Sequence, residues 1–309
     1  MEDLDFTQPE PPKPATPPPA PPLTAAAPAP FKAAQSPYYK AEIARSIFQS
    51  AGRAEVFAAG QVVFEEDEKA SSGLFTRKSA ARMYFVVEGD IALTLGGKPL
   101  DTVGAGEIFG EMAVLSDQPR SAAARAKTDC HVVSMGPEEL QVALQRAPGF
   151  ALMLMSVMFD RLRFIAARLS MRKGGKPVAG RLAARLDPAV LARVEAGLAR
   201  SAAVRHAKGA TLMREGQAGT CLYVVKEGSV IIHIGQTPLE RVPVGGTFGE
   251  MAIVDQSPRT ASATSETECE LLAIDRASFI EAVKREPAFA TTMLRDIAER
   301  LRHMNAQLA

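Results

Sequence analysis

Apolar positions along the chain fall into two rhythms. Short apolar runs occur at Val56-Phe57, Val62-Val63-Phe64, Tyr84-Phe85-Val86-Val87 and Ile91-Ala92-Leu93, with Gly60, Gly89, Gly96-Gly97 and Gly104 between them. Many short strands broken by glycine turns predict a small antiparallel sandwich or roll. Residues 122–135 predict two more strands. The second rhythm is helical. Ile43, Ile47 and Phe48 predict a short helix within 39–51, and Gly136-Pro137-Glu138-Glu139 opens another, with proline suited to the first turn. A longer helix is expected from Pro148 to about Met171, where Phe150, Leu154, Met158, Leu162 and Ile165 form one stripe. The stripe returns 139 positions later as Phe289, Met293, Ile297, Leu301 and Met304. Such a stripe predicts core packing or a helix–helix contact made by one face.

The same interval separates two copies of a motif. The first reads Gly106-Glu107-Ile108-Phe109-Gly110-Glu111-Met112-Ala113, then Gln118-Pro119-Arg120-Ser121-Ala122. The second reads Gly246-Thr247-Phe248-Gly249-Glu250-Met251-Ala252, then Ser257-Pro258-Arg259-Thr260-Ala261. Each copy has a glycine turn, one carboxylate and, nine residues on, an arginine followed by a hydroxyl residue and alanine. A loop opening into a helical turn presents free backbone N–H groups to an anion. Arginine suits a phosphate, which it grips through parallel charge-assisted hydrogen bonds. A buried glutamate is costly unless it accepts several hydrogen bonds, and sugar hydroxyls supply them. Phosphate with sugar hydroxyls means a nucleotide.

On these residues the chain resembles the cyclic-nucleotide-binding domain family, as in catabolite-activator-type regulators, kinase regulatory subunits and gated channels. The segments that carry the resemblance are Phe109–Ala113 with Pro119–Ala122, and Phe248–Ala252 with Pro258–Ala261. The resemblance implies that this segment is a phosphate-binding cassette. It implies that Glu111 and Glu250 accept from the ribose 2′-hydroxyl, and that Arg120 and Arg259 hold the cyclic phosphate. It also implies that the closing helix after each barrel folds over the base and reports occupancy. The fold class expected is α+β: two β-roll (jelly-roll-like double-stranded β-helix) domains, each followed by helices. The ligand expected is cAMP at the first site and cAMP or cGMP at the second, since Thr260 matches a feature of cGMP-dependent relatives. No cofactor and no metal are expected.

Composition narrows the picture. A chain of 309 residues, 47 % apolar, has room for two domains, and a net charge of +1 argues for neither nucleic acid nor membrane as partner. Without an apolar run of spanning length or a leader, a cytoplasmic location is expected. Cys130, Cys221 and Cys269 predict reduced thiols, not a disulfide frame. Residues 1–37 hold 12 of the 22 prolines and are expected to be a disordered, extended tail, either a spacer or a dock for a proline-binding partner. Domain 1 is placed at 38–172, a linker at 173–186 and domain 2 at 187–309, with Asp187-Pro188 as a helix cap. Arginines from 161 to 200 make the region around the linker basic, expected as a solvated face. The first copy carries ten extra residues within 67–80, a surface loop that is either a lid or partner contact or an inert insert.

The chain ends at Ala309, where a DNA-reading helix-turn-helix would have to follow, and no inhibitor-type basic-basic-x-Ser stretch is visible in the tail. The expectation is a non-catalytic receptor of bacterial type, acting on an effector protein and open to homodimerisation. Two rival readings stand beside it. One is a scaffold with degenerate pockets. The other is a bicupin-type metalloenzyme, which would need paired histidines, whereas His131, His206, His233 and His303 are scattered.

Overall fold

The computed structural model describes residues 39–68, 81–170, 181–183, 185–198 and 203–307. The proline-rich tail, most of the ten-residue insertion and the linker up to 180 lie outside the described residues. Domain 1 begins with α1 (Ala41–Ala51) and continues through β1 (Arg53–Phe57), β2 (Val62–Phe64), β3 (Met83–Glu88), β4 (Ile91–Leu95), β5 (Lys98–Val103) and β6 (Ile108–Phe109). Then come α2 (Glu111–Ser116), β7 (Ala123–Ala126), β8 (Cys130–Met135), α3 (Pro137–Arg146) and α4 (Gly149–Ser170). Domain 2 repeats the plan. It comprises β9 (Arg181–Leu182), α5 (Pro188–Ala196), β10 (Ala203–His206), β11 (Thr211–Met213), β12 (Cys221–Glu227), β13 (Val230–Ile234), β14 (Thr237–Val242) and β15 (Thr247–Phe248). It closes with α6 (Glu250–Asp255), β16 (Ser262–Ser265), β17 (Cys269–Asp275), α7 (Arg276–Arg285) and α8 (Pro287–Ala306).

Each domain folds its strands into a two-sheet roll. In domain 1 the sheets run β1-β8-β3-β6 and β2-β7-β4-β5; in domain 2 they run β10-β17-β12-β15 and β11-β16-β13-β14-β9. All pairings are antiparallel except β9 on β14, which is parallel. The α+β architecture of two rolls with trailing helices is therefore the one the periodicity predicts. The contiguous apolar run in β3 has a physical reason: the strand is buried on both faces. Tyr84 and Val86 point into the roll with Phe57, Phe64, Ile91 and Phe109, whereas Met83 and Phe85 meet the helices. β12 does the same, with Val225 inside and Leu222 and Val224 outside.

Both sets of helices share one core. Residues of α1, α3 and α4 and of α5, α7 and α8 pack in a single apolar cluster, where the Phe48 ring lies 5.6 Å from Phe85 and 6.0 Å from Phe150. The helix caps hold as expected. Pro137 opens α3 while the Glu139 carboxylate accepts from Gly136 N at 2.9 Å, and Asp187 accepts from Ala189 N at 2.8 Å ahead of Pro188.

Three expectations are corrected. The stripe on α4 does not use one face: every residue from Phe150 to Phe159 is buried, because the helix is enclosed by both domains. The arginines near its end are not a solvated face, since Arg161 and Arg163 are half-buried or less exposed and ion-paired. The linker's last residues join domain 2: β9 pairs with β14, and Leu186 N donates to Gly245 O at 2.8 Å. β5 escapes the periodicity because Pro99 interrupts it, and it lies on a sheet edge where proline is tolerated. Among the described residues no single helix is long and apolar enough to cross a membrane.

Candidate functional site

The motif turns at Gly110 and Gly249, which have φ of +75° and +84°. A side chain there is strained by about 1–2 kcal/mol, and an added Cβ would also crowd the motif arginine. At Gly249 it would sit 2.5 Å from Arg259 Nη1; at Gly110 it would lie 3.1 Å from Arg120 Nη1. Gly249→Ala is therefore expected to displace the Arg259 guanidinium and to weaken ligand binding in domain 2 selectively. Titration of that variant with domain 1 as internal control checks it. Equal losses in both domains would refute the steric argument.

From this turn the chain enters α2 or α6 with no side-chain cap on its first N–H groups. The first helical residue is the motif glutamate, and both are buried: Glu111 is 1 % exposed and Glu250 2 %. Arg120 and Arg259 are buried as well, at 7 % and 6 %. Their backbones are clamped to the turns that follow β2 and β11, Arg120 N donating to Glu68 O at 3.0 Å and Arg259 N to Gln217 O at 2.8 Å. Arg120 Nη1 donates to Gly110 O at 3.0 Å, and its guanidinium lies 3.9 Å above the Phe64 ring. Arg259 donates to the carbonyls of Gly249 and Cys221. Burial pushes both arginine pKa values down, countered by Tyr84, Glu68 and Glu111 for Arg120 and by Tyr223, Glu250 and Cys221 for Arg259. A desolvated cation in a cleft is a site for an anion.

Each glutamate is joined to a second arginine, on the long helix behind it. Arg161 of α4 donates to Glu111 Oε1 and to Ile108 O; Arg300 of α8 donates to Glu250 Oε1. Burial alone would lower the pKa of these arginines, but the surrounding carboxylates reverse the sign and raise it. Glu111, Asp101 and Glu107 do so for Arg161, and Glu240, Glu250 and Asp296 for Arg300. The other oxygen of each motif glutamate, Oε2, is buried and has no hydrogen-bond partner. Such an atom is expensive to leave unmet.

The structure gathers the sequence-predicted residues into two clefts. Gly110, Glu111, Met112, Ala113, Arg120, Ser121 and Ala122 line the first, which encloses about 660 Å³ counted out to its open mouth. Phe248, Gly249, Glu250, Met251, Ala252, Arg259, Thr260 and Ala261 line the second, about 370 Å³ on the same measure. Phe109 differs from expectation: it is fully buried in the roll, stacked at 5.0 Å on Tyr84, and supports the cleft floor without lining it. Ser121 and Thr260 turn their hydroxyls toward Met112 and Met251 sulfur, at 3.4 and 3.6 Å.

Sequence reasoning missed several lining residues. Arg161 and Arg300 had a legible signal, being 139 positions apart and each standing one residue before a stripe leucine. Asp101 and Glu240 share that spacing, but nothing in the pattern points β5 and β14 toward the site. Leu301 was read only as part of an apolar stripe and Asn305 carried no signal; both line the first cleft from α8 of the other domain.

A family model for the cyclic nucleotide-binding domain matches residues 54–147 and again 203–286. The chain belongs to the cyclic nucleotide-binding domain family. Among curated relatives, a cAMP-dependent protein kinase regulatory subunit of Aspergillus niger is 29 % identical over 59 % of this chain and 40 % of its own length. A cGMP-dependent protein kinase of Drosophila melanogaster is 27 % identical over 72 % of this chain and 26 % of its own length. The chain thus spans less than half the length of these relatives. A solved regulatory domain of Toxoplasma gondii PKA with cAMP is 20 % identical, covering 78 % of this chain and 83 % of that one with a TM-score of 0.27. Fungal, animal and bacterial cyclic nucleotide-binding proteins are all among the relatives, which gives no support to a bacterial over a eukaryotic origin.

Proposed function

We propose that the chain is a cyclic nucleotide receptor with two sites, one per roll, that takes up cAMP at the first and cAMP or cGMP at the second. The observation that carries this reading is the pairing, in both clefts, of a buried guanidinium with a buried carboxylate oxygen that has no partner. An anion answers the first and a hydroxyl donor the second. A cyclic nucleotide places both a few ångströms apart on one rigid ring system. The phosphate would meet Arg120 or Arg259 and the α2 or α6 N–H groups, and the ribose 2′-hydroxyl would donate to Glu111 or Glu250.

Signalling would run through the long helices. Arg161 and Arg300 tie each glutamate to α4 and α8, so a ligand that bonds the free oxygen changes the electrostatic balance at a helix. The closing helices also touch the opposite domain's motif. Arg163 of α4 pairs with Asp255 of α6, and Arg302 of α8 donates to Pro119 O beside Arg120. Occupancy of one cleft would then shift the surface formed by both domains, which an effector protein reads. Such coupling requires different affinities in two arrangements.

Calorimetric titration of the full chain with cAMP and with cGMP tests the reading. Two binding events are expected, falling to one in Arg120→Ala or Arg259→Ala and to none in the double variant. Absence of binding to either nucleotide at millimolar concentration would overturn it.

A further inference from the structure

The two rolls differ by one strand. In domain 2 the second sheet ends on β9, which pairs in parallel with β14; among the described residues the matching sheet of domain 1 ends on β5. β5 and β14 correspond position by position. They start 139 residues apart, carry Pro99 and Pro238 at the second place, and shift register at the same point against β4 and β13. β9 belongs to the chain that enters domain 2 ahead of α5. Its pairing sets Arg181 beside Glu240 and Leu182 beside Arg241, and Ala183 N donates to Arg241 O at 2.9 Å. Ala183 is buried in the core of the roll, and Leu186 N, three residues on, donates to Gly245 O at 2.8 Å.

The chain that enters domain 1 arrives at the same place. Tyr39 stands two residues before α1 as Leu186 stands two before α5, and its hydroxyl donates to the carbonyl of Gly106, the counterpart of Gly245. Thr102 takes the position of Arg241, and its N–H is met by the carboxylate of its neighbour Asp101, at 2.8 Å. Among the described residues no strand pairs with the outer side of β5.

We infer that the outer edge of β5 is a docking edge for residues 34–37 of this chain, added as a parallel strand where β9 lies on β14. Counting back from the two helices puts Ala34 beside Asp101, Gln35 beside Thr102, and Ser36 at the place of Ala183 with its N–H on Thr102 O. The reach is short: three residues of extended chain, about 10 Å, separate Ser36 from Tyr39, as they separate Ala183 from Leu186. Ser36 is small, as Ala183 is. Pro37 falls at the next position, where the N–H of a strand faces away from its partner and proline is tolerated. An unpaired edge is a template for an extended segment, and main-chain hydrogen bonds hold the segment there. Leu100 and Asp101 of β5 line the first cleft, so the docked segment backs that wall and fixes where the proline-rich tail leaves domain 1. This holds whatever the clefts bind.

Disulfide trapping in the full chain tests it, with Cys221→Ser to remove the half-buried thiol; Cys130 and Cys269 are buried and do not compete. Neighbouring strands lie about 4.8 Å apart, inside the Cα separation a disulfide spans, and Thr102 is exposed. Gln35→Cys with Thr102→Cys is expected to close an intrachain disulfide under mild oxidation. Closure should be about 10-fold faster than for Ala26→Cys with Thr102→Cys, whose tethered but undocked thiol has a lower effective concentration. Adding Ser36→Pro, which removes the N–H bound for Thr102 O, is expected to slow the first pair to the rate of the second. Equal rates for the two cysteine pairs, or a rate untouched by Ser36→Pro, overturn the inference. So does a dilution-sensitive disulfide joining the Thr102→Cys positions of two chains, which would make a second copy the occupant of the edge.

Discussion

Arg120→Ala is expected to weaken the first site for cAMP by about 2–5 kcal/mol, roughly 30- to 5,000-fold, the usual loss when one member of a desolvated charge pair is removed. The magnitude follows from where the guanidinium sits. It is 7 % exposed, stacked 3.9 Å over Phe64, and held down in pKa by burial, so it pays for desolvation before any ligand arrives. A phosphate recovers that cost, and alanine cannot. Because the unliganded chain is relieved of a buried charge, the variant should be no less stable than the parent. Isothermal calorimetry together with a denaturant melt gives both quantities. Unaltered affinity would remove Arg120 from the site, and a large loss of stability would assign it a structural role instead.

The second large effect is on stability. Glu111→Ala removes the carboxylate bonded to Arg161 in a buried setting, where breaking one side of an ion pair costs about 3–5 kcal/mol. Glu250→Ala removes the matching partner of Arg300 and should cost a comparable amount, since each arginine keeps two further carboxylates nearby: Asp101 and Glu107 for Arg161, Glu240 and Asp296 for Arg300. Urea midpoints of the two variants, compared with Glu111→Gln and Glu250→Gln, measure both losses. A loss under about 1 kcal/mol in either alanine variant, the range of an exposed pair, would contradict the idea that these buried pairs hold the long helices in place. Both alanine variants are also expected to lose the nucleotide of their own site.

These expectations explain why so much of the site was legible beforehand. Glycines 110 and 249 are required by left-handed backbone, and the glutamates and arginines would be required by the hydroxyl and the anion of the proposed ligand. Each requirement is local, acting within about a dozen residues of chain, and each recurs at the same interval. Local chemistry leaves marks in local sequence. The strands were readable for a similar reason: β3 and β12 are buried on both faces and written as unbroken apolar runs, and glycines mark their turns. β5 was not readable, because an edge strand containing Pro99 and facing the cleft with Asp101 has neither alternation nor an apolar run.

What the chain by itself determined is the pair of rolls, the long helices and the duplicated glycine, glutamate and arginine motif. These depend on side-chain periodicity and on backbone needs met close by in sequence. Only the tertiary structure decided that the long helices are enclosed by both domains, that Arg161 and Arg300 close on the motif glutamates, and that the last helix of one domain walls the cleft of the other. Those contacts join positions as far apart as Pro119 and Arg302. They arise from packing two similar apolar helices against each other, and an apolar stripe states that a helix will be buried without stating against what.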